Sequence, residues 1–292
     1  MFIATLIADG LSSGDIADAQ ARLAAAGCAP GEAVWLDADT ACDVLFASSP
    51  EDARAVLEGA IAGVDVIVQP LEGREKQLLI SDMDSTMITV ECIDELAGYA
   101  GLRAEISGVT ERAMRGELDF EAALDGRVAL LKGLDVRTLE TCLNERVTLM
   151  PGAKTLVRTM KARGAYTLLV SGGFTHFADP VAGEIGFDDA LSNILEIDGA
   201  ALAGTVRRPI VGAEAKREAL EKALNVRGQT ADRALAVGDG ANDIPMLQAA
   251  GLGIAYHAKE KAAAAADARI VHGDLTTLLY AQGIARKHWV TG

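Results

Sequence analysis

The sequence predicts an α/β protein: a doubly wound parallel-sheet core with an inserted helical cap, preceded by a small α+β unit. Three observations predict it. From residue 78 onward, short apolar runs ending in Gly, Ser or Asp alternate with helical stretches, which is the signature of a parallel sheet with crossover helices. Residues ~87–150 keep a helical period and contain no convincing strand. Residues 1–72 run strand, helix, strand, strand, helix, strand, the split-βαβ order of a ferredoxin-like unit.

In chain order, MFIATLIA reads as a strand, and it lacks the positively charged start and cleavage site of a signal peptide. GDIADAQARLAAAGC places Ile16, Ala19, Leu23 and Ala26 near helical period. EAVWLD and CDVLFA are strands separated by Ala-Asp-Thr. PEDARAVLEGAIAG opens with Pro50 and two acids, a helix start. VDVIVQP is the last strand of this unit, and the polar stretch LEGREKQ, residues 71–77, reads as a linker to the second unit, 73–292. The strands of the core are LLISD, YTLLVSGG, RALAVGDG and LGIAY. GAKTLVRTMKARG and AKREALEKALNV are helices between them. In the ~87–150 block, Ile93, Leu96, Ala97 and Ala100 follow i, i+3, i+4, i+7. Phe120, Ala123, Leu124 and Leu131 nearly do so, with Asp119 as N-cap. KAAAAADA, 261–268, reads as a solvated helix.

Half of the 292 residues are apolar and only 4% are aromatic, so the core is built from Ala, Leu, Val and Gly. A net charge of −15 argues against a nucleic-acid partner, which would need a basic patch. No run of ~18 apolar residues occurs, so no membrane span is expected. Cys28, Cys42, Cys92 and Cys142 are widely spaced and read as small buried hydrophobes in a reducing cytoplasm. His176, His257, His272 and His288 have no metal-ligand spacing, and no zinc site is expected.

The chemistry concentrates at strand ends, where ligands of doubly wound sheets bind. LLISDMDST sets Asp82 and Asp84 one residue apart after an apolar run. Two carboxylates this close repel, and a buried pair needs a cation or a shared proton. VGDGAND ends a later strand with Asp239 and Asp243. Two acidic strand ends over one crevice suit a hard cation, and magnesium fits. Ser171, Gly172 and Gly173 offer a hydroxyl and close backbone N–H groups. Lys216, at what reads as an exposed helix start, offers a point charge, and Asn242 an amide. Nucleophile, neighbouring acid, metal and anion clamp describe phosphoryl transfer through an aspartyl-phosphate. Arg127 shares the apolar helix face of Phe120 and Leu124. A buried Arg there suits a carboxylate; the alternatives are snorkelling to the surface or pairing with a structural acid. Glu91 precedes a helix and either faces the crevice or favours the helix N-terminus. Met114 and Phe120 either wall the pocket or pack the core.

D-M-D-S-T, V-S-G-G-F, a solitary Lys and G-D-G-A-N-D, in that order, resemble the four motifs of the haloacid dehalogenase (HAD) superfamily. SDMDSTMITVECIDELA, GELDFEAALDGRVALLKGL, SGGFTHF and VGDGANDIPML resemble the phosphoserine phosphatases within it, over residues ~76–285. The resemblance implies a HAD-like core and magnesium-dependent hydrolysis of O-phospho-L-serine to L-serine and phosphate, the last step of L-serine biosynthesis. It implies Asp82 as nucleophile and magnesium ligand. Asp84 becomes general acid and then base, giving its carbonyl to the metal. Asp239 is the remaining ligand, and Asp243 supports the metal site and Lys216. Ser171, Gly172, Lys216 and Asn242 bind phosphate, Glu91 the substrate ammonium and Arg127 its carboxylate. Residues 1–72 resemble an ACT-like domain and carry no sharp ligand motif; structural use, or a homodimer through this unit, weighs at least as much as regulation. The rivals are a phosphatase for phosphohomoserine or phosphothreonine, or a non-catalytic phosphate or amino-acid sensor. A response-regulator receiver would leave the second Asp without an acid role.

Overall fold

A computed structural model describes residues 1–115 and 117–291; Gly116, inside the helical block, and Gly292 lie outside it. The first unit contains β1 (Phe2–Ile7), α1 (Ser13–Ala25), β2 (Pro30–Asp37), β3 (Ala41–Phe46), α2 (Pro50–Leu57) and β4 (Asp65–Pro70). Its antiparallel sheet has the order β2-β3-β1-β4, as the split-βαβ pattern expects. Helix α1 starts where a capping box closes: the Ser12 hydroxyl accepts from Asp15 N–H while the Asp15 carboxylate accepts from Ser12 N–H. Period-2 alternation sends Ala4, Leu6, Val44, Phe46 and Val66 to one sheet face, against Ile16, Ala19, Leu23, Ala53 and Leu57 of the helices. Full burial of one such Leu is worth roughly 1.5–3 kcal/mol.

The opposite sheet face meets the second unit directly rather than through a loose linker: Ile7, Ala41 and Ile67 join the second unit's apolar core, and polar contacts flank them. Arg74 donates to both carboxylate oxygens of buried Asp43, at 2.6 and 3.0 Å, and to the Ala281 carbonyl. Asp65 accepts from the backbone N–H groups of Val271 and Gly273 at 2.8 and 2.7 Å. Lys76, in the stretch read as a polar linker, is buried and donates to the carbonyls of Gly73 and Asp232.

The second unit opens with β5 (Leu78–Ser81), followed by four helices: α3 (Cys92–Tyr99), α4 (Arg103–Met114), α5 (Phe120–Leu130) and α6 (Arg137–Arg146). This is the expected cap. Asp119 caps α5 by accepting from Ala122 N–H at 2.8 Å. The chain leaves and re-enters side by side, with Ile88 bridged to Leu149. Then come α7 (Ala153–Ala162), β6 (Tyr166–Phe174), α8 (Thr175–Ile185), β7 (Asp189–Asn193), the hairpin β8 (Leu195–Asp198) and β9 (Ala201–Val206), and α9 (Ala213–Arg227). The chain closes with β10 (Ala234–Gly238), α10 (Ile244–Ala249), β11 (Leu252–Tyr256), α11 (Glu260–Ala265), β12 (Ala268–Ile270) and α12 (Thr277–Ala281). The parallel sheet has the order β12-β11-β10-β5-β6-β7, so β5 and β10 are adjacent and central. Near-continuous burial of LLIS and ALAVG follows from helices covering both faces.

Two expectations change. KAAAAADA is not a solvated helix: α11 ends at Ala265, the chain turns into β12, and Ala262, Ala266 and Ala268 are buried because small side chains let the helix sit close to the sheet. The β8–β9 hairpin was not expected, nor was β7. The hairpin is tied to the cap by backbone bonds from Gly133 to Leu202 and from Val136 to Ala200, each 2.9 Å. No helix among the described residues is long and apolar enough to cross a membrane.

Candidate active site

The two central strands carry the acids to one point. Asp82 follows β5 directly, its N–H bonded to the Val237 carbonyl of β10 at 3.0 Å, and Asp239 follows β10. Carboxylate oxygens of Asp82, Asp239 and Asp243 lie within 4.8 Å of one another, all buried. Gly238 and Gly240 permit this convergence: a Cβ on Gly238 would lie 2.5 Å from the Asp243 carboxylate, and one on Gly240 would lie 2.8 Å from the sulfur of Met114.

Lys216 is not at an exposed helix start. It is fully buried in the first turn of α9, and its ammonium bridges Asp82 at 2.6 Å and Asp243 at 2.7 Å. Asp243 also accepts from the N–H groups of Asp239 and Gly240 at 3.1 and 3.0 Å, so it braces both Lys216 and the loop. Burial opposes the charge on Lys216, but Asp243 and Asp82 hold its pKa above the usual lysine value. Burial, then the charge of Asp243, push Asp82 up to about 7 against the pull of Lys216. Burial, Glu91 and Asp82 push Asp84 well above the carboxylate range; burial, Glu91, Asp243 and Asp82 do the same to Asp239. The cause is common to all three: desolvated carboxylates outnumber their cations. A hard divalent cation would relieve them, and within this cluster Asp82 and Asp239 offer the oxygens for one, since Asp243 is taken up by Lys216 and two backbone N–H groups.

Around the acids a small cleft is lined by Asp84, Glu91, Met114, Phe120, Arg127 and Asn242, together with the Ser171–Gly173 turn. Its free volume is about 20 Å³, close to the room one water takes. All ten residues singled out from sequence therefore gather at one place, and Met114 and Phe120 prove to be wall residues. Gly172 is required where it stands: a Cβ there would lie 2.7 Å from the Phe120 ring. Ser171 accepts from Gly173 N–H at 2.8 Å, which shapes the turn. The Asp84 Oδ1 and Asn242 Oδ1 atoms are buried and have no hydrogen-bond partner among the described residues, as expected of groups facing a ligand.

The cap supplies the other wall. Glu91 stands at the N-cap of α3 but makes no side-chain cap; it accepts from the Ser85 hydroxyl at 2.6 Å. Arg127 does not snorkel. It is 3% exposed and donates to the Ala123 carbonyl at 3.0 Å and to the Thr110 hydroxyl at 2.8 Å. Among the described residues it forms no ion pair. Sequence reading missed three supporting residues. Thr86 reaches Asp239 at 3.4 Å. Asn193 donates to the Gly172 carbonyl at 2.9 Å and accepts from Val211 N–H at 2.7 Å. Thr110 lies on the buried stripe Ile106–Thr110–Ala113 of α4, and a hydroxyl on that stripe was the available signal.

Acids and a buried lysine at the carboxyl ends of central parallel strands, covered by a helical cap, place this protein in the class of doubly wound α/β proteins with a capped, acidic strand-end site. The chain belongs to the haloacid dehalogenase-like hydrolase family, whose model matches residues 76–251. It is 45% identical to a phosphoserine phosphatase of Archaeoglobus fulgidus, covering 74% of this chain and 63% of that one. It is 43% identical to a phosphoserine phosphatase of Polaromonas, covering 74% and 94%. The chain thus spans less than two thirds of the Archaeoglobus protein and nearly all of the Polaromonas one. Among solved structures, a HAD family hydrolase of Salmonella enterica serovar Typhi matches with TM-score 0.82 at 29% identity, over 98% of both chains. A phospho-aspartyl intermediate analogue of a phosphoserine phosphatase matches with TM-score 0.68 at 38% identity, over 70% of this chain and 98% of that one.

Proposed function

We propose that this protein hydrolyses O-phospho-L-serine to L-serine and phosphate through an aspartyl-phosphate on Asp82, with magnesium as cofactor. The observation that carries the substrate choice is the pair Arg127 and Glu91. A buried guanidinium without an ion pair among the described residues and the half-buried Glu91 carboxylate line the same cleft as Asp82. That pattern is complementary to an α-amino acid carrying a phosphate. The names of the relatives support the same reading.

In the mechanism, a carboxylate oxygen of Asp82 attacks phosphorus and the bond to the serine oxygen breaks. Asp84, whose pKa is raised well above the usual range, is positioned to deliver the proton the leaving oxygen needs. Water then attacks the aspartyl-phosphate, giving its proton to Asp84 and freeing phosphate and the Asp82 carboxylate. Lys216, the Ser171 hydroxyl, the Gly172 N–H and the Asn242 amide hold the phosphoryl oxygens. Magnesium would be held by Asp82, Asp239 and the Asp84 carbonyl, and when bound would offset the charge of carboxylates and phosphate. Asp243 stays with Lys216.

A panel of phosphomonoesters at saturating magnesium tests the assignment. Phosphoserine should lead phosphothreonine, phosphohomoserine and phosphoethanolamine in kcat/KM; a clear preference for any of the others overturns it. For residues 1–72 we propose a separate domain, because they bury their own core. A homodimer through it would use the helical face or the free β2 edge, where Val34 and Trp35 are exposed, since the other sheet face is engaged. The four buried free cysteines accord with a cytoplasmic setting.

A further inference from the structure

Three cap helices meet in a single hydrogen-bonded chain. Arg127, on α5, donates to the Thr110 hydroxyl of α4 at 2.8 Å. Thr110 in turn donates to the Asp94 carboxylate of α3 at 2.6 Å. The polarity of this chain is forced. A guanidinium only donates and an ionised carboxylate only accepts, so the hydroxyl between them must accept from one and give its proton to the other. Thr110 is 2% exposed, and among the described residues the other acceptor within reach of its proton is the Ile106 carbonyl one turn back, at 3.1 Å against 2.6 Å for Asp94.

We infer that Thr110 is a specificity-determining positioning residue: anchored by Asp94, it fixes the Arg127 guanidinium for the substrate carboxylate. The inference rests on the phosphoserine reading above. Asp94 sits in the first turn of α3, three residues after Glu91, so the helix start that anchors the chain also carries the other proposed amino-acid contact. Thr110 keeps Arg127 one hydroxyl away from Asp94. A direct Arg127–Asp94 fork would occupy the guanidinium edge needed by the substrate. With the hydroxyl interposed, the described contacts take two of the five guanidinium N–H groups, and neither goes to a carboxylate. The second bond, to the Ala123 carbonyl, fixes the Nε side, so Thr110 is the contact that sets rotation about the end of the side chain.

Valine has the shape of threonine without the hydroxyl. Thr110→Val should raise KM for phosphoserine roughly tenfold, the order expected for loss of a hydrogen bond to a charged group. Its kcat should stay within about twofold, because the chemistry at Asp82 and Asp84 is untouched, and kcat/KM for phosphoethanolamine should not change. Thr110→Ser, which keeps the hydroxyl, should restore the phosphoserine KM. Thr110→Cys, with a weak donor and acceptor, should fall between. If the valine variant does not fold by circular dichroism, the serine and cysteine pair carries the comparison. Wild-type KM in the valine and cysteine variants, or equal losses for both substrates, overturns the inference. Arg127→Ala run alongside separates the two levels. A selective loss there with unchanged Thr110 variants rejects the positioning role and leaves the carboxylate reading standing. An unselective loss at Arg127 rejects both.

Discussion

Replacing Arg127 by alanine tests whether the cap reads the substrate carboxylate. Arg127 is 3% exposed, and its two hydrogen bonds go to a carbonyl and a hydroxyl, so among the described residues no anion neutralises it at contact distance. Burial lowers its pKa, and the charges of Asp94, Glu91 and Asp84 pull it back up. The guanidinium therefore stays charged and desolvated, and the strongest interaction open to it is a forked pair with an entering carboxylate. Truncating one partner of such a desolvated pair costs about 2–4 kcal/mol. At about 1.4 kcal/mol per decade, that is a loss of roughly 30- to 1,000-fold in kcat/KM for phosphoserine. Phosphoethanolamine, which keeps phosphate and ammonium but lacks the carboxylate, should lose less than about threefold by the same accounting. Arg127→Lys should recover only part, because an ammonium cannot make two parallel bonds. The assay is steady-state phosphate release with both substrates at saturating magnesium, with thermal unfolding as a folding control. Equal losses for the two substrates would refute the reasoning and make Arg127 a structural residue of the cap.

Asp82→Asn should abolish turnover and beryllofluoride loading, since an amide cannot attack phosphorus; normal turnover would remove the covalent route. Asp84→Asn should slow phosphoserine hydrolysis by roughly 10²–10⁴-fold, and formation of the phosphoenzyme from p-nitrophenyl phosphate much less, because that leaving group needs no proton. Equal defects in rapid-quench measurements would deny Asp84 the acid role. The metal-free protein should lose stability as pH rises from about 4 to about 7. Asp82, raised from 3.8 to about 7, and Asp239, raised in the same direction, bind more protons folded than unfolded in that window, so the slope of unfolding free energy with pH is negative. Magnesium should flatten that slope in melting curves from pH 5.5 to 8; an identical slope with and without magnesium would count against the metal site.

What the sequence made legible was whatever a local pattern encodes. Asp82 and Asp239 were readable because each closes a short apolar run, which puts a carboxylate at a strand end, and the adjacency of β5 and β10 then brings the two ends together. Lys216 was assigned to the site but expected at an exposed helix start, because α9 looks amphipathic and solvated in isolation; only the approach of its first turn to the loops after β5 and β10 buries the ammonium between two carboxylates. The β8–β9 hairpin was missed although Asp198-Gly199, with Gly199 at φ +62°, is a tight-turn signal. The Ala-rich run at 261–268 misled for the opposite reason: alanine marks a solvated helix and a closely packed one equally well. Thr110 and Asn193 were invisible because their roles are relational. Each bonds to residues distant in sequence; a hydroxyl on the apolar stripe of α4 hints that Thr110 is buried, but not what it holds.

The charge balance of the cleft explains how so acidic a chain can take an anionic substrate. Asp82, Asp84, Asp239, Asp243 and Glu91 supply five buried or nearly buried carboxylates, against the two buried cations Lys216 and Arg127. Fully ionised, they would leave three uncompensated negative charges in a desolvated site, which is why burial and mutual repulsion raise Asp82, Asp84, Asp239 and Glu91 together. A phosphate dianion entering that field alone would meet repulsion from every wall but two. Protons on the acids would relieve the field but would also disable Asp82 as a nucleophile. A divalent cation relieves it while leaving Asp82 ionised, so cation binding and phosphate binding must each strengthen the other. The same balance separates the duties of the two buried cations. On the proposed function, Lys216, locked between Asp82 and Asp243, is the cation for the phosphate end, and Arg127, kept off Asp94 by a hydroxyl, is the cation for the other end of the substrate.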